Sequence, residues 1–145
     1  MNFLKEASNI EEFAALNKEV AFVGIPKLYQ EYTSAYVLVM EYIEGCGIDD
    51  KEELLAEGYD LKEIGTKLVD NYIKQVMDDG FFHADPHSGN VKIREGKIIW
   101  IDMGMMGRLT GRDREMIGKA VQGVAFHEIG LIQEAVLALG EFKEK

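Results

Sequence analysis

The sequence predicts an α+β domain, mainly helical, with one small β-hairpin and a few short strands ahead of it. Two patterns carry this. Leu61, Ile64, Leu68, Tyr72 and Val76 recur at helical spacing, with Val69, Ile73 and Met77 beside them, and mark one long helix with a broad buried face. Val91-Lys92-Ile93 and Lys97-Ile98-Ile99-Trp100-Ile101 are two β-prone runs around the Gly-containing turn Arg94-Glu95-Gly96, the signature of a hairpin. A third run, Tyr36 to Met40, is apolar throughout and reads as a buried strand.

Taken in order, Phe3, Ala7, Ile10, Phe13, Ala14 and Leu16 give a first helix over about residues 3–17. Glu6 falls on or beside its apolar face; it either reaches water from the edge of that stripe or, if buried there, calls for a partner, because an unpaired buried carboxylate is costly. Val20 to Val23 and, after Pro26, Lys27 to Tyr29 read as short extended pieces leading to the Tyr36–Met40 run. Residues 41–60 hold eight acids against Lys51 alone, consistent with a solvated loop and a short helix. The long helix ends near Asp78-Asp79-Gly80, glycine being a natural C-terminal cap. From Arg112 the pattern is helical again, through Met116, Val121 and Val124, then Ile129, Ile132, Val136 and Leu139. No repeat or linker divides the 145 residues, which read as one domain.

Composition narrows the function. Sixteen basic and 26 acidic residues give a net charge of −10, which argues against a nucleic-acid binder that neutralises phosphates. One cysteine, Cys46, excludes an internal disulfide framework and a Cys-based zinc cluster; with no basic neighbour it is no candidate nucleophile. No apolar run approaches the roughly 18 residues of a membrane-spanning helix, and residues 1–6 do not resemble a signal peptide, so an intracellular domain is expected.

The chemistry concentrates in Gly80-Phe81-Phe82-His83-Ala84-Asp85-Pro86-His87-Ser88-Gly89-Asn90 and in Ile101-Asp102-Met103-Gly104. Asn90 precedes the first hairpin strand and Asp102 follows the second. Antiparallel pairing therefore brings the two to within roughly 3–7 Å. An amide oxygen and a carboxylate are hard ligands suited to Mg²⁺, which completes its shell with water and phosphate oxygens. Asp85 lies five residues before Asn90 across a bent loop, where a carboxylate can orient an attacking hydroxyl or take its proton. Asp-x4-Asn followed, after a hairpin, by Asp-x-Gly is the layout of the catalytic and metal loops of kinases. A zinc site on His83, Asp85 and His87 is the weaker alternative, with His83 better explained as a structural histidine that holds the loop.

These residues resemble the UbiB-type atypical kinases, also called ABC1 or aarF-domain kinase-like proteins. The likeness lies in Leu4-Lys5-Glu6-Ala7-Ser8-Asn9, in Val23 to Tyr29, in Val37 to Gly45, in the His-Ala-Asp-Pro-His block ending in Gly89-Asn90, and in Ile101 to Met105. Ser88 stands where the family has Pro, Met103 where it has Phe, and Asn2 where it has an acid. The resemblance implies a protein-kinase-like fold, with residues 1–41 a remnant of the N-lobe and 42–145 the C-lobe. The family's Lys-x-Gly-Gln element, Ala-rich nucleotide loop and strand lysine would all precede residue 1.

It further implies an ATP- and Mg²⁺-dependent phosphotransferase or ATPase linked to ubiquinone and other quinone lipids. Asp85 would be the catalytic-loop aspartate, Asn90 and Asp102 the metal ligands, and Glu6 the partner of the absent lysine. Met40, Glu41 and Tyr42 would form the hinge whose backbone meets adenine, with His87 also at the nucleotide. ATP and quinone-lipid or membrane-associated biosynthetic partners are expected, in the cytoplasm, with the longer protein at a membrane. The isolated 145 residues would be inactive without loop and lysine. An aminoglycoside- or choline-type phosphotransferase has a similar loop, but with Gly where Ala84 stands; a non-catalytic nucleotide- or partner-binding module is the third expectation.

Overall fold

The computed structural model describes residues 2–111, 127 and 129–130. The helices expected from Arg112 onward lie outside the described residues, apart from His127, Ile129 and Gly130, which are helical. The described part is mixed α/β rather than mainly helical, with three α-helices and six short strands in two sheets.

Helix α1 spans Phe3–Leu16; the Asn2 side chain caps it by accepting from the Leu4 N–H at 2.9 Å, and Ala7, Ile10 and Phe13 face the core. Strand β1 (Val23–Gly24) follows, then β2 (Cys46–Gly47) and the short helix α2 (Lys51–Ala56) capped by Asp50. Helix α3 (Leu61–Lys74), capped by Asp60, continues into a π-helical turn at Gln75–Asp79 and stops at Gly80, whose φ of 62° is the left-handed end expected there.

The hairpin forms as expected: β4 (Val91–Arg94) pairs with β5 (Lys97–Trp100), Val91 opposite Trp100 and Arg94 opposite Lys97. Glu95 and Gly96 both have positive φ, the geometry of a two-residue turn matched to strand twist. With β1 parallel to β5 and β2 antiparallel to β4, the sheet order is β1-β5-β4-β2. A second, two-stranded sheet joins β3 (Phe81–His83) to β6 (Met106–Arg108). Trp100 lies at the centre of the core, edge-on to Phe13 at 6.5 Å and tilted against Tyr72 at 6.1 Å, all three fully buried. Burying each such side chain is worth roughly 1.5–3 kcal/mol.

The Tyr36–Met40 run is not a buried strand. Tyr36 is 88% exposed and Val37 52%. Only its end pairs, through a Leu28–Met40 bridge, with Tyr29 N–H donating to Val39 O and Glu41 N–H to Lys27 O. An all-apolar run reads as buried on both faces, but among the described residues its strand-like pairing is with 27–29, and its other bonds are local ones to Thr33 and Ser34.

Candidate active site

Two loops are held against one another by β3, β6 and the hairpin. The β3–β6 ladder runs on one step, Ala84 N–H donating to Met105 O at 2.9 Å, so the segments carrying Asp85 and Asp102 leave the same two strands. The hairpin ladder also runs on one step, Ile101 N–H donating to Asn90 O at 3.0 Å, which places Asp102 one residue past the backbone partner of Asn90.

His83 joins the two loops. Its ring is buried and stacked on Trp100 at 5.5 Å. Its Nε2 lies 2.8 Å from the Asp102 carbonyl, and its Nδ1 accepts from the Asp85 N–H at 3.2 Å. These partners assign a neutral ring protonated on Nε2, and burial holds the imidazole below its ordinary value. With both nitrogens engaged, His83 is the structural histidine expected and is not free to bind zinc. Among the described residues, no group of three or more His, Cys, Asp or Glu side chains could hold a metal.

Asp85, His87 and Asn90 form one cluster. Asn90 Nδ2 donates to the Asp85 carbonyl at 2.9 Å and lies 2.9 Å from His87 Nε2, which is 3.5 Å from Asp85 Oδ2. The nitrogen of the Asn90 amide is thus used within the loop, leaving its oxygen as the end able to meet a cation.

Glu6 and Asp102 form the second cluster. They line a cleft of about 750 Å³ with Phe3, Leu38, Met40 and Met105. Gly104 lies beside both carboxyls, its N–H donating to Asp102 Oδ1 at 3.2 Å. Burial first, and then the Asp102 charge, push the Glu6 carboxyl above its ordinary value. Helix α1 is tied to the same loop by Asn9 Nδ2, which donates to Met103 O at 2.9 Å. Asp102 has φ 61°, a left-handed conformation that Asp tolerates better than most residues and that is commonest where function holds the backbone. A β-carbon at Gly104 would lie 3.2 Å from Asp102 Oδ1 and 3.7 Å from Glu6 Oε1, so this glycine keeps the space beside the acid pair open.

Of the three hinge candidates only Met40 lines the cleft. The Glu41 carboxylate accepts from the Lys27 N–H at 3.1 Å and from Arg94 Nη1 at 3.0 Å, which together hold it below its ordinary value. Tyr42 is 78% exposed, with Lys92 Nζ 5.5 Å from its ring centre. Lys5 and Asn2, which also line the cleft, carried no signal in the sequence as site residues. Cys46 is buried in β2, its thiol pushed up to about 11 by burial and by Glu53, which fits its exclusion as a nucleophile.

The donors present suit Mg²⁺. Glu6 and Asp102 bring two carboxyls to one cleft, and their charge is what a divalent cation would neutralise. An amide oxygen stands on the adjoining loop. Mg²⁺ takes one or two protein carboxylates and leaves other positions to water and phosphate, so the lack of a third converging acid among the described residues is no obstacle.

Known proteins carry the same segment. Residues 1–136 match the ABC1 atypical kinase-like domain. A Clostridium pasteurianum protein described only as uncharacterised, in a hydrogenase 1 5′ region, is 41% identical over 140 residues, covering 97% of this chain and 26% of its own length. The Arabidopsis thaliana chloroplastic protein ACTIVITY OF BC1 COMPLEX KINASE 8 is 37% identical over 143 residues, 97% of this chain and 19% of its own. Among solved structures, Mycobacterium tuberculosis Rv3197, determined in complex with erythromycin, superposes with a TM-score of 0.60 at 25% identity, over 77% of this chain and 28% of that one. The chain therefore spans about a fifth to a quarter of the length of these curated relatives. Matched over nearly its whole length, the chain belongs to the ABC1 atypical kinase-like family.

Proposed function

We propose that these residues form the catalytic region of an ATP- and Mg²⁺-dependent atypical kinase or ATPase, with residues 1–41 belonging to the N-lobe and 42–145 to the C-lobe. The observation that carries the reading is that Glu6 and Asp102 line one cleft, with Asp102 on a loop that His83 ties to Asp85. Asn90 and Asp102 would hold Mg²⁺, which when bound supplies charge to offset that of the nucleotide phosphates. Asp85 would orient the attacking hydroxyl and take its proton. Glu6 would meet a lysine from outside these residues, and the Met40–Tyr42 backbone, with His87, would contact the nucleotide. The apolar lining at Phe3, Leu38, Met40 and Met105 suits a purine ring.

Quinone-lipid or membrane-associated biosynthetic partners, and a cytoplasmic protein working at a membrane, follow from the family resemblance alone. No helix among the described residues is long and apolar enough to cross a membrane. The 145 residues contain the acids and the amide but no nucleotide-covering loop, and the family's strand lysine has no counterpart in them. On their own they are expected to bind Mg-ATP weakly and turn it over negligibly.

The test is ATP turnover by a longer polypeptide that includes the loop and lysine, beside its Asp102→Asn variant. Asparagine keeps the tolerance for the left-handed backbone while removing the charge. Turnover falling by at least about 10²-fold, as when a transition-state donor is lost, is expected. Equal turnover in the two would remove the metal assignment. A longer protein that binds nucleotide without turnover would favour the non-catalytic reading.

A further inference from the structure

We infer that a buried relay of amides, Asn17–Asn71–Gln75, positions His83, and through it the Asp85 and Asp102 backbones, relative to the helix that carries Glu6. It rests on the proposed reading of those two aspartates as site residues. The relay begins where α1 ends. Asn17 Nδ2 donates to Phe13 O at 2.9 Å, and its Oδ1 accepts from Asn71 Nδ2 at 2.9 Å. Asn71 Oδ1 accepts twice, from Gln75 Nε2 and from Trp100 Nε1, each at 2.8 Å. Gln75 Oε1 then accepts from the His83 N–H at 3.1 Å, while Tyr72 Oη donates to the His83 carbonyl at 2.7 Å. The His83 ring ends the chain at Asp102 O on one side and the Asp85 N–H on the other.

Asn17, Asn71, Gln75 and His83 are each 3% exposed or less. Apolar residues could fill that space without the desolvation cost that buried amides carry. What an apolar filling would lack is direction: every bond in the relay fixes an orientation, and Gln75 reaches His83 from the first residue of the π-helical turn. π-helical turns are frequent at functional sites. A second tie runs alongside, Lys74 Nζ donating to Leu16 O at 2.8 Å. Asn71, Gln75, Trp100 and Tyr72 are therefore positioning residues, remote from any reacting atom.

The test is native-state hydrogen exchange, by NMR, on the chain and its Gln75→Met variant, with Leu54→Ala as a core variant away from the relay. If Gln75 positions His83, Gln75→Met speeds exchange at the His83 and Asp85 amides by about tenfold, the worth of one buried hydrogen bond, beyond any change at Ile93 and Ile98 in the hairpin. Leu54→Ala should instead change all four together. Should Gln75→Met fail to fold, Tyr72→Phe removes only the hydroxyl bond and is expected to give the same local pattern. Uniform loss of protection in either variant, or none, overturns the relay. Mn²⁺ titration of the same samples separates the two claims: a wild-type chain that binds no Mn²⁺, beside a Gln75→Met variant that shows the local exchange pattern, removes the metal reading and leaves the relay standing.

Discussion

Replacing Glu6 by glutamine tests the acid pair through stability alone. In the folded chain the Glu6 carboxyl titrates above its ordinary value of 4.5, because burial and the neighbouring Asp102 both disfavour its charge. Folding thus takes up a proton at Glu6. The stability of the protonated pair is present in full below about pH 4.5 and is lost as pH rises through the folded value. Two unit charges about 4 Å apart repel by roughly 1 kcal/mol in water and 4 kcal/mol at the effective dielectric of a protein surface. Glu6 opens onto the cleft, so solvent screening sets the figure near the lower end, about 1 kcal/mol. Glutamine keeps an N–H donor for Asp102 and removes the charge. Urea unfolding should show Glu6→Gln more stable than wild type by about 1 kcal/mol at pH 7.5, or about 4 °C in Tm, with the advantage gone at pH 3.5. A variant less stable at pH 7.5, or equally displaced at both pH values, would refute the like-charge contact.

Other consequences follow from single contacts. A β-carbon at Gly107 would enter the Phe82 ring, so Gly107→Ala should cost about 1–3 kcal/mol in denaturant unfolding by forcing β3 from β6. The Cys46 thiol, buried and pushed up to about 11, should react with a disulfide reagent at pH 8 at least about 10²-fold more slowly in the folded than in the unfolded chain. Arg108 holds Glu12 through two bonds of 2.7 and 2.8 Å, but both side chains are exposed; Glu12→Gln should cost less than about 1 kcal/mol, and nothing at high salt.

What could be read from the sequence was what short-range periodicity and turn chemistry determine. The α3 face, the Gly80 stop and the β4–β5 hairpin with its Glu95-Gly96 turn all follow from neighbours along the chain. The hairpin also made the approach of the Asn90 and Asp102 segments a local matter, and the apolar setting of Glu6 signalled a need for a partner. The β3–β6 ladder could not be read this way, since Phe81–His83 and Met106–Arg108 are joined across the hairpin and Met106-Gly107-Arg108 has no strand periodicity. Tyr36–Met40 misled for the opposite reason: apolar content gives strand propensity, whereas burial depends on what packs against it. That Glu6 shares a cleft with Asp102, 96 positions on, and that Asn17 bonds Asn71, 54 positions on, depends on contacts no local pattern reveals.

Titration of the chain with Mn²⁺, followed by electron paramagnetic resonance, addresses the cation site without needing turnover. Wild type should bind one ion. Asp102→Asn and Asn90→Ala should each weaken it at least about tenfold, the usual cost of altering a ligand or its immediate support, and Asp49→Asn, in the acidic 41–60 stretch, should leave it unchanged. Binding that survives Asp102→Asn undiminished, or that Asp49→Asn weakens as much, would place the cation elsewhere and contradict the assignment of Asn90 and Asp102.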